Sequence, residues 1–116
     1  MNILLVGLGG FFGAIARYLI SIFITPVNNF PLATLFTNII GCFLVGLFFG
    51  YNIGNKDSFY YFLSIGFLGS FTTMSAFTLQ VVELNNSDQV FTSYSYILIT
   101  ILLTIIATIA GINISK

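Results

Sequence analysis

Apolar residues run almost unbroken through four stretches of the chain, roughly 3–25, 32–53, 59–83 and 92–114, each separated from the next by a short polar cluster. A hydrocarbon core of ~30 Å takes about 20 helical residues at ~1.5 Å each, and every one of these stretches is long enough. The pattern predicts an all-α membrane protein of four transmembrane helices. The first break, Thr25-Pro26-Val27-Asn28-Asn29-Phe30-Pro31, combines two prolines with paired asparagines, which end one helix and start the next. The second runs from Asn52 to Ser58 and the third from Leu84 to Gln89. Connections this short leave no room for an extramembrane domain, so 1–116 reads as a single transmembrane domain. The N-terminus lacks the basic region and small-residue cleavage site of a signal peptide, and the first helix is expected to be retained.

Small residues recur where helices could approach closely. Gly9 and Gly13 lie four apart in the first span, and Gly46, Gly50 and Gly54 continue the same spacing through the second. Such rows favour close helix packing, within one chain or between chains of an oligomer.

The exceptions to the apolar pattern carry more information. Arg17 sits inside the first span, where a charge costs about 2.5–3.5 kcal/mol. It must face protein, water or an anion, or else snorkel toward the headgroups near Thr25. Asn38 brings an amide into the second span, which requires a helix contact or a water-filled path. In the third span, Gly66-Phe67-Leu68-Gly69-Ser70-Phe71-Thr72-Thr73-Met74-Ser75-Ala76-Phe77-Thr78 gathers glycines and hydroxyls at mid-membrane. That composition suits a helix broken there, with carbonyls freed for a cation or N–H groups for an anion; the other reading is a continuous helix whose hydroxyls bond back to its own carbonyls. In the fourth span Tyr96, Thr100, Thr104 and Thr108 recur every four residues, placing their hydroxyls on one slowly drifting face as a track or an interface.

Composition narrows the function. With 58% hydrophobic and 5% charged residues the chain cannot cover a water-facing surface. Three basic residues, Arg17, Lys56 and Lys116, make no patch for nucleic acid. Histidine is absent, Cys42 is the single cysteine, and the carboxylates Asp57, Glu83 and Asp88 are scattered, so neither a metal cluster nor a catalytic set can be assembled and an enzyme is not expected. Lys56 and Lys116 share a side with the N-terminus, which places both ends in the cytoplasm by the positive-inside bias, on few charges. A ladder of hydroxyls without fixed charge suits a small hydrated ion that must be held and released. Hydroxyls do not decide its sign, whereas Arg17, the Asn38 amide and the positive ring edges of Phe71 and Phe77 lean toward an anion.

Three segments carry a resemblance to a known family: Gly9-Gly10-Phe11-Phe12-Gly13-Ala14-Ile15-Ala16-Arg17-Tyr18, then Thr34-Leu35-Phe36-Thr37-Asn38-Ile39-Ile40-Gly41, then Gly66 to Phe77. In order, spacing and helix assignment the chain resembles the CrcB/Fluc fluoride channels. The resemblance implies an antiparallel, dual-topology-type dimer in the cell membrane, exporting fluoride passively through two pores, with a structural sodium ion held by backbone carbonyls. Carried onto this chain, Gly69 and Thr72 would supply those carbonyls and Arg17 would act near an entrance. The pore would be lined by Asn38, Phe71, Met74, Ser75 and Phe77, then by Tyr96, Thr100, Thr104 and Thr108. Against the family pattern, Met74 stands for Phe, Ala76 for Thr, Ser70 for Gly and Gln80 for Glu. Family pores pair the first phenylalanine of one subunit with the second of its partner, so a homodimer would lose a ring from each pore. A heterodimer with a related chain keeping both rings would retain one pore intact. The remaining alternatives are a supporting subunit of such a pair and a proton-coupled exporter of lipophilic cations, for which the first span lacks the needed carboxylate.

Overall fold

Helices end where the sequence turns polar. In the computed structural model, which describes residues 1–51 and 54–116, α1 covers Asn2–Phe23 and α2 covers Leu32–Tyr51. Between them Asn28 and Asn29 both adopt positive φ, 52° and 66°, and the Phe30 N–H reaches Val27 O at 2.9 Å. Paired asparagines tolerate this left-handed turn, and Pro31 then has a φ already suited to a helix start. The predicted end of the second span and the opening of the second break, Asn52 and Ile53, lie outside the described residues.

The third span begins under Asp57, whose carboxylate accepts the Tyr60 N–H at 2.9 Å as an N-cap. Its first part, α3 (Tyr60–Leu68), is wound as a π-helix and runs into one α-helical turn at Gly69–Phe71. Thr72 is then extended, with φ −80° and ψ 154°, and helix resumes as α4 (Ser75–Asn86). Asp88 at φ 61° ends α4, with the Gln89 N–H on Leu84 O at 3.0 Å closing the turn into α5 (Val90–Ser115). Among the described residues four helices are long and apolar enough to cross a membrane: Asn2–Phe23, Leu32–Tyr51, Tyr60–Asn86 and Val90–Ser115. The four-span expectation holds, and the largest boundary shift is at the end of the third span, 83 expected against Asn86.

α2 lies along α5 and α1 along α3, while α4 turns away from α3 to pack on α5. The extended backbone at Thr72 thus lets one span pack on two partners. Glycine sets both close approaches. A Cβ at Gly9 would collide with Phe62 O and lie 2.8 Å from Phe67 N, so α1 meets the α3 backbone directly. Gly46 and Gly111 do the same for α2 and α5. Gly54 leaves the row that spacing assigned it: φ is +84° and a Cβ would meet nothing within 4 Å, so it is a turn residue. Leu35, Phe77, Leu84 and Tyr96 form the core between α2, α4 and α5. Leu4, Leu8 and Phe11 on α1, with Leu98, Leu102 and Ile105 on α5, stay exposed, as a surface solvated by acyl chains must be.

Candidate functional site

The backbone N–H and C=O of Thr73 leave the helical pattern, and a side chain from another span takes both. Asn38, 7% exposed on α2, accepts the Thr73 N–H on Oδ1 at 2.8 Å and donates Nδ2 to Thr73 O at 3.0 Å. One planar amide therefore meets both polar groups of one residue, as a neighbouring strand would. Thr73 in turn caps α4, its Oγ1 accepting the Ala76 N–H at 3.2 Å. These two bonds divert the N–H groups that a continuous helix would send to Gly69 O and Thr72 O. The intervening Ser70 carbonyl is met by Arg17 Nε at 3.2 Å.

Arg17 thus has a partner inside the chain. It stays half-buried and complements the negative carbonyl end of the α3 turn, a favourable place for a cation. It also borders a cavity of about 270 Å³, together with Ser21, Thr34, Thr37 and Gln80 and with no acidic side chain.

The clamp also borders a groove of about 240 Å³ between α2, α4 and α5, lined by Asn38, Cys42, Thr72, Thr73, Met74, Phe77, Thr100, Ile101 and Thr104. Apolar walls with a few convergent polar groups are the usual character of a ligand path. Thr100, 7% exposed, presents a buried Oγ1 with no hydrogen-bond partner, alone in this among the described residues. Leaving a buried hydroxyl unpaired costs about 1–3 kcal/mol. Further along α5, Thr104 Oγ1 bonds to Thr100 O at 2.6 Å and Thr108 Oγ1 to Thr104 O at 3.0 Å. Both carbonyls lie within a helix that already supplies backbone donors, so either hydroxyl can rotate to another partner without stranding its carbonyl. Thr108 lies beyond the residues that line the groove, next to Cys42.

The pattern that defines the CrcB-like proteins (camphor resistance, CrcB) matches residues 4–112. The fluoride-specific ion channel FluC of Flavobacterium psychrophilum is 40% identical over 120 residues, covering 99% of this chain and 97% of its own. That of Haemophilus ducreyi is 37% identical over 117 residues, covering 100% and 93%, and fluoride-specific ion channel FluC 1 of Halalkalibacterium halodurans is 38% identical over 120, covering 96% and 94%. This chain belongs to the CrcB-like family. With four apolar spans it is a multi-pass membrane protein and not an enzyme.

Within this CrcB-like chain the aromatic and thioether positions of the third span separate. Phe77 lines the groove with its ring 5.0 Å from Tyr96, whereas Phe71, 5% exposed, is stacked on Phe67 at 5.7 Å and packs against the α2 backbone near Gly41. Phe71 therefore does not occupy the space at Met74. Met74 lines the groove and is 70% exposed, projecting from the open side of the chain. Ser75 is exposed and sits 3.3 Å from Thr73 Oγ1, outside the groove lining.

Tyr96 is at 0% exposure, held by Phe30 at 5.4 Å and by donation of its hydroxyl to Gln80 Oε1 at 2.8 Å. Its ring fixes Phe77 while its hydroxyl is committed to α4. Tyr96→Phe is expected to cost about 1 kcal/mol in thermal unfolding, the net worth of one hydrogen bond, while leaving the Phe77 contact in place. Sequence reading missed Thr73 and Cys42 as members of the site. A hydroxyl two residues before the restarted helix, Thr73 ahead of Ser75, is the capping signal that points to the first; nothing local points to the second.

Proposed function

We propose that this chain is a fluoride channel subunit that lets fluoride leave the cytoplasm down its gradient, across the cell membrane, as an antiparallel dimer with two pores. What carries the reading is the unpaired buried hydroxyl of Thr100, set in one groove with the Asn38 amide, the Phe77 ring and Thr104. Full-length relatives named fluoride-specific ion channels supply the ion.

Fluoride must exchange its water shell for protein donors in steps small enough to be reversible. Asn38 keeps one amide N–H beyond the one given to Thr73, Phe77 offers a positive ring edge, and Thr100 and Thr104 offer hydroxyls that turn toward the ion. Arg17 raises the potential at the adjoining cavity without sitting in the groove. Lys56 and Lys116 favour a copy whose N- and C-termini face the cytoplasm, as a chain paired with a differently oriented relative would have; in a homodimer the second copy is inverted.

The Gly69 and Thr72 carbonyls fit a structural sodium ion: each is a hard oxygen donor whose helical N–H has gone elsewhere, Thr73 to Asn38 and Ala76 to Thr73. Sodium would supply a central positive charge that joins the two chains at their breaks. Around it, Arg17 and Asn38 occupy the Ser70 and Thr73 carbonyls and leave the other two open.

A second reading, favoured by the exposure of Met74, is a heterodimer in which a related chain brings an aromatic ring to that place. Fluoride-specific efflux from proteoliposomes, with chloride retained, tests the channel reading; equal fluxes of both ions, or neither, would end it. Thr100→Val is expected to slow fluoride roughly fivefold, about 1 kcal/mol of lost hydrogen bonding, while thermal stability stays level or rises because a costly buried hydroxyl is gone. Loss of stability with unchanged flux would make Thr100 a packing residue only.

A further inference from the structure

Asn38 belongs to two places at once. On one side it lines the groove with Thr100 and Phe77. On the other it holds the Thr73 N–H at 2.8 Å, the group that would otherwise close onto Gly69 O and continue the helix. Release of the clamp therefore has a definite destination: the N–H returns to the Gly69 carbonyl, and that oxygen ceases to be available to anything else.

We infer that Asn38 is a positioning residue that keeps the Gly69 carbonyl open as a cation ligand, so that one side chain ties the cation seat to the anion path. This rests on the sodium reading given above. Asparagine suits the task because it alone, at this length, offers an acceptor and a donor on one plane, matched to the Thr73 N–H and C=O. Burial protects the arrangement, since neither water nor lipid competes well for these groups at 7% exposure. Arg17 performs the complementary act at Ser70 O, so the oxygens beside the open carbonyl are filled.

The test compares thermal unfolding of the purified full chain, in its native assembly, across a sodium chloride series and an equal series of choline chloride. A ligand that binds only the folded state raises stability with the logarithm of its concentration, and the wild type should show that rise in sodium alone. Asn38→Leu keeps the branching at Cγ and removes both bonds, and its sodium-dependent rise should disappear. Asn38→Asp keeps an oxygen for the Thr73 N–H while losing the donor to Thr73 O, and should keep the rise. Thr104→Val, which touches only the groove, should also keep it. A sodium response in Asn38→Leu equal to that of the wild type would overturn the inference. Should that variant fail to fold, loss of the response in Asn38→Asp would overturn it equally. Absence of any sodium response in the wild type would instead remove the cation reading itself, and the inference with it, before a variant is compared.

Discussion

Gly46→Ala, a change of one methyl group, is expected to lower the unfolding temperature of the chain sharply. The added Cβ would collide with Thr108 O and lie 3.0 Å from Thr108 C and 3.1 Å from Ile112 N, all backbone of α5. No rotamer can relieve a clash with main chain, so α2 and α5 must part along their whole seam. Overpacking of a side chain costs about 1–3 kcal/mol; against rigid backbone the upper end or more applies, out of a total stability of about 5–15 kcal/mol. Gly111, facing Phe43 O and with a Cβ placed 2.7 Å from Leu47 N, makes the reciprocal contact and should behave alike. Gly7→Ala is the control, because a methyl there meets nothing within 4 Å. The yield of monodisperse protein and its unfolding temperature read the outcome: an unchanged unfolding temperature for Gly46→Ala would mean the seam is looser than this geometry.

That seam also marks how far the sequence could be read. Spans were legible because lipid demands about twenty apolar residues in a row, a requirement no tertiary contact relaxes. The glycine row was legible as far as Gly50, but spacing alone cannot register that the chain turns left-handed at Gly54, φ +84°. Periodicity set Tyr96, Thr100, Thr104 and Thr108 on one face of α5, where they do lie inward, Tyr96 and Thr100 buried and the other two half-buried. It could not say that the Tyr96 hydroxyl is taken by Gln80, sixteen residues earlier on another helix.

What stayed hidden is long-range. Arg17 meets Ser70 across 53 residues and Asn38 meets Thr73 across 35. Each side chain was visible as something lipid would not accept, yet its partner is a backbone group, and backbone groups look the same at every position. Face counting also fails across Thr72, where the extended backbone resets the helical phase. Phe71 and Phe77, read together from one segment, therefore end on different sides, the first against Phe67 and the second against Tyr96.

Met74→Phe is expected to raise fluoride efflux of the chain reconstituted alone by at least about tenfold, which corresponds to ~1.4 kcal/mol off the barrier. Met74 lines the groove yet is 70% exposed, so nothing in its own chain fills the space a ring would take, and folding should be unaffected. The exchange replaces a flexible thioether, whose sulfur is a weak acceptor, with a rigid ring whose edge is positive. Inside a membrane such a difference is poorly screened, so a modest change in charge distribution weighs heavily on an anion. Phe71 cannot supply the missing edge, being stacked on Phe67 with its planes 13° apart and buried against α2. Both pores of a homodimer would gain a ring, whereas a heterodimer already holding one intact pore should gain at most about twofold from the second. The ratio of mutant to wild-type efflux, measured with the chain alone and again with a related partner present, separates the two assemblies. A wild-type chain that alone carries fluoride as fast as Met74→Phe would show that the ring at this position does not limit conduction, and the case for an obligate partner would fall with it.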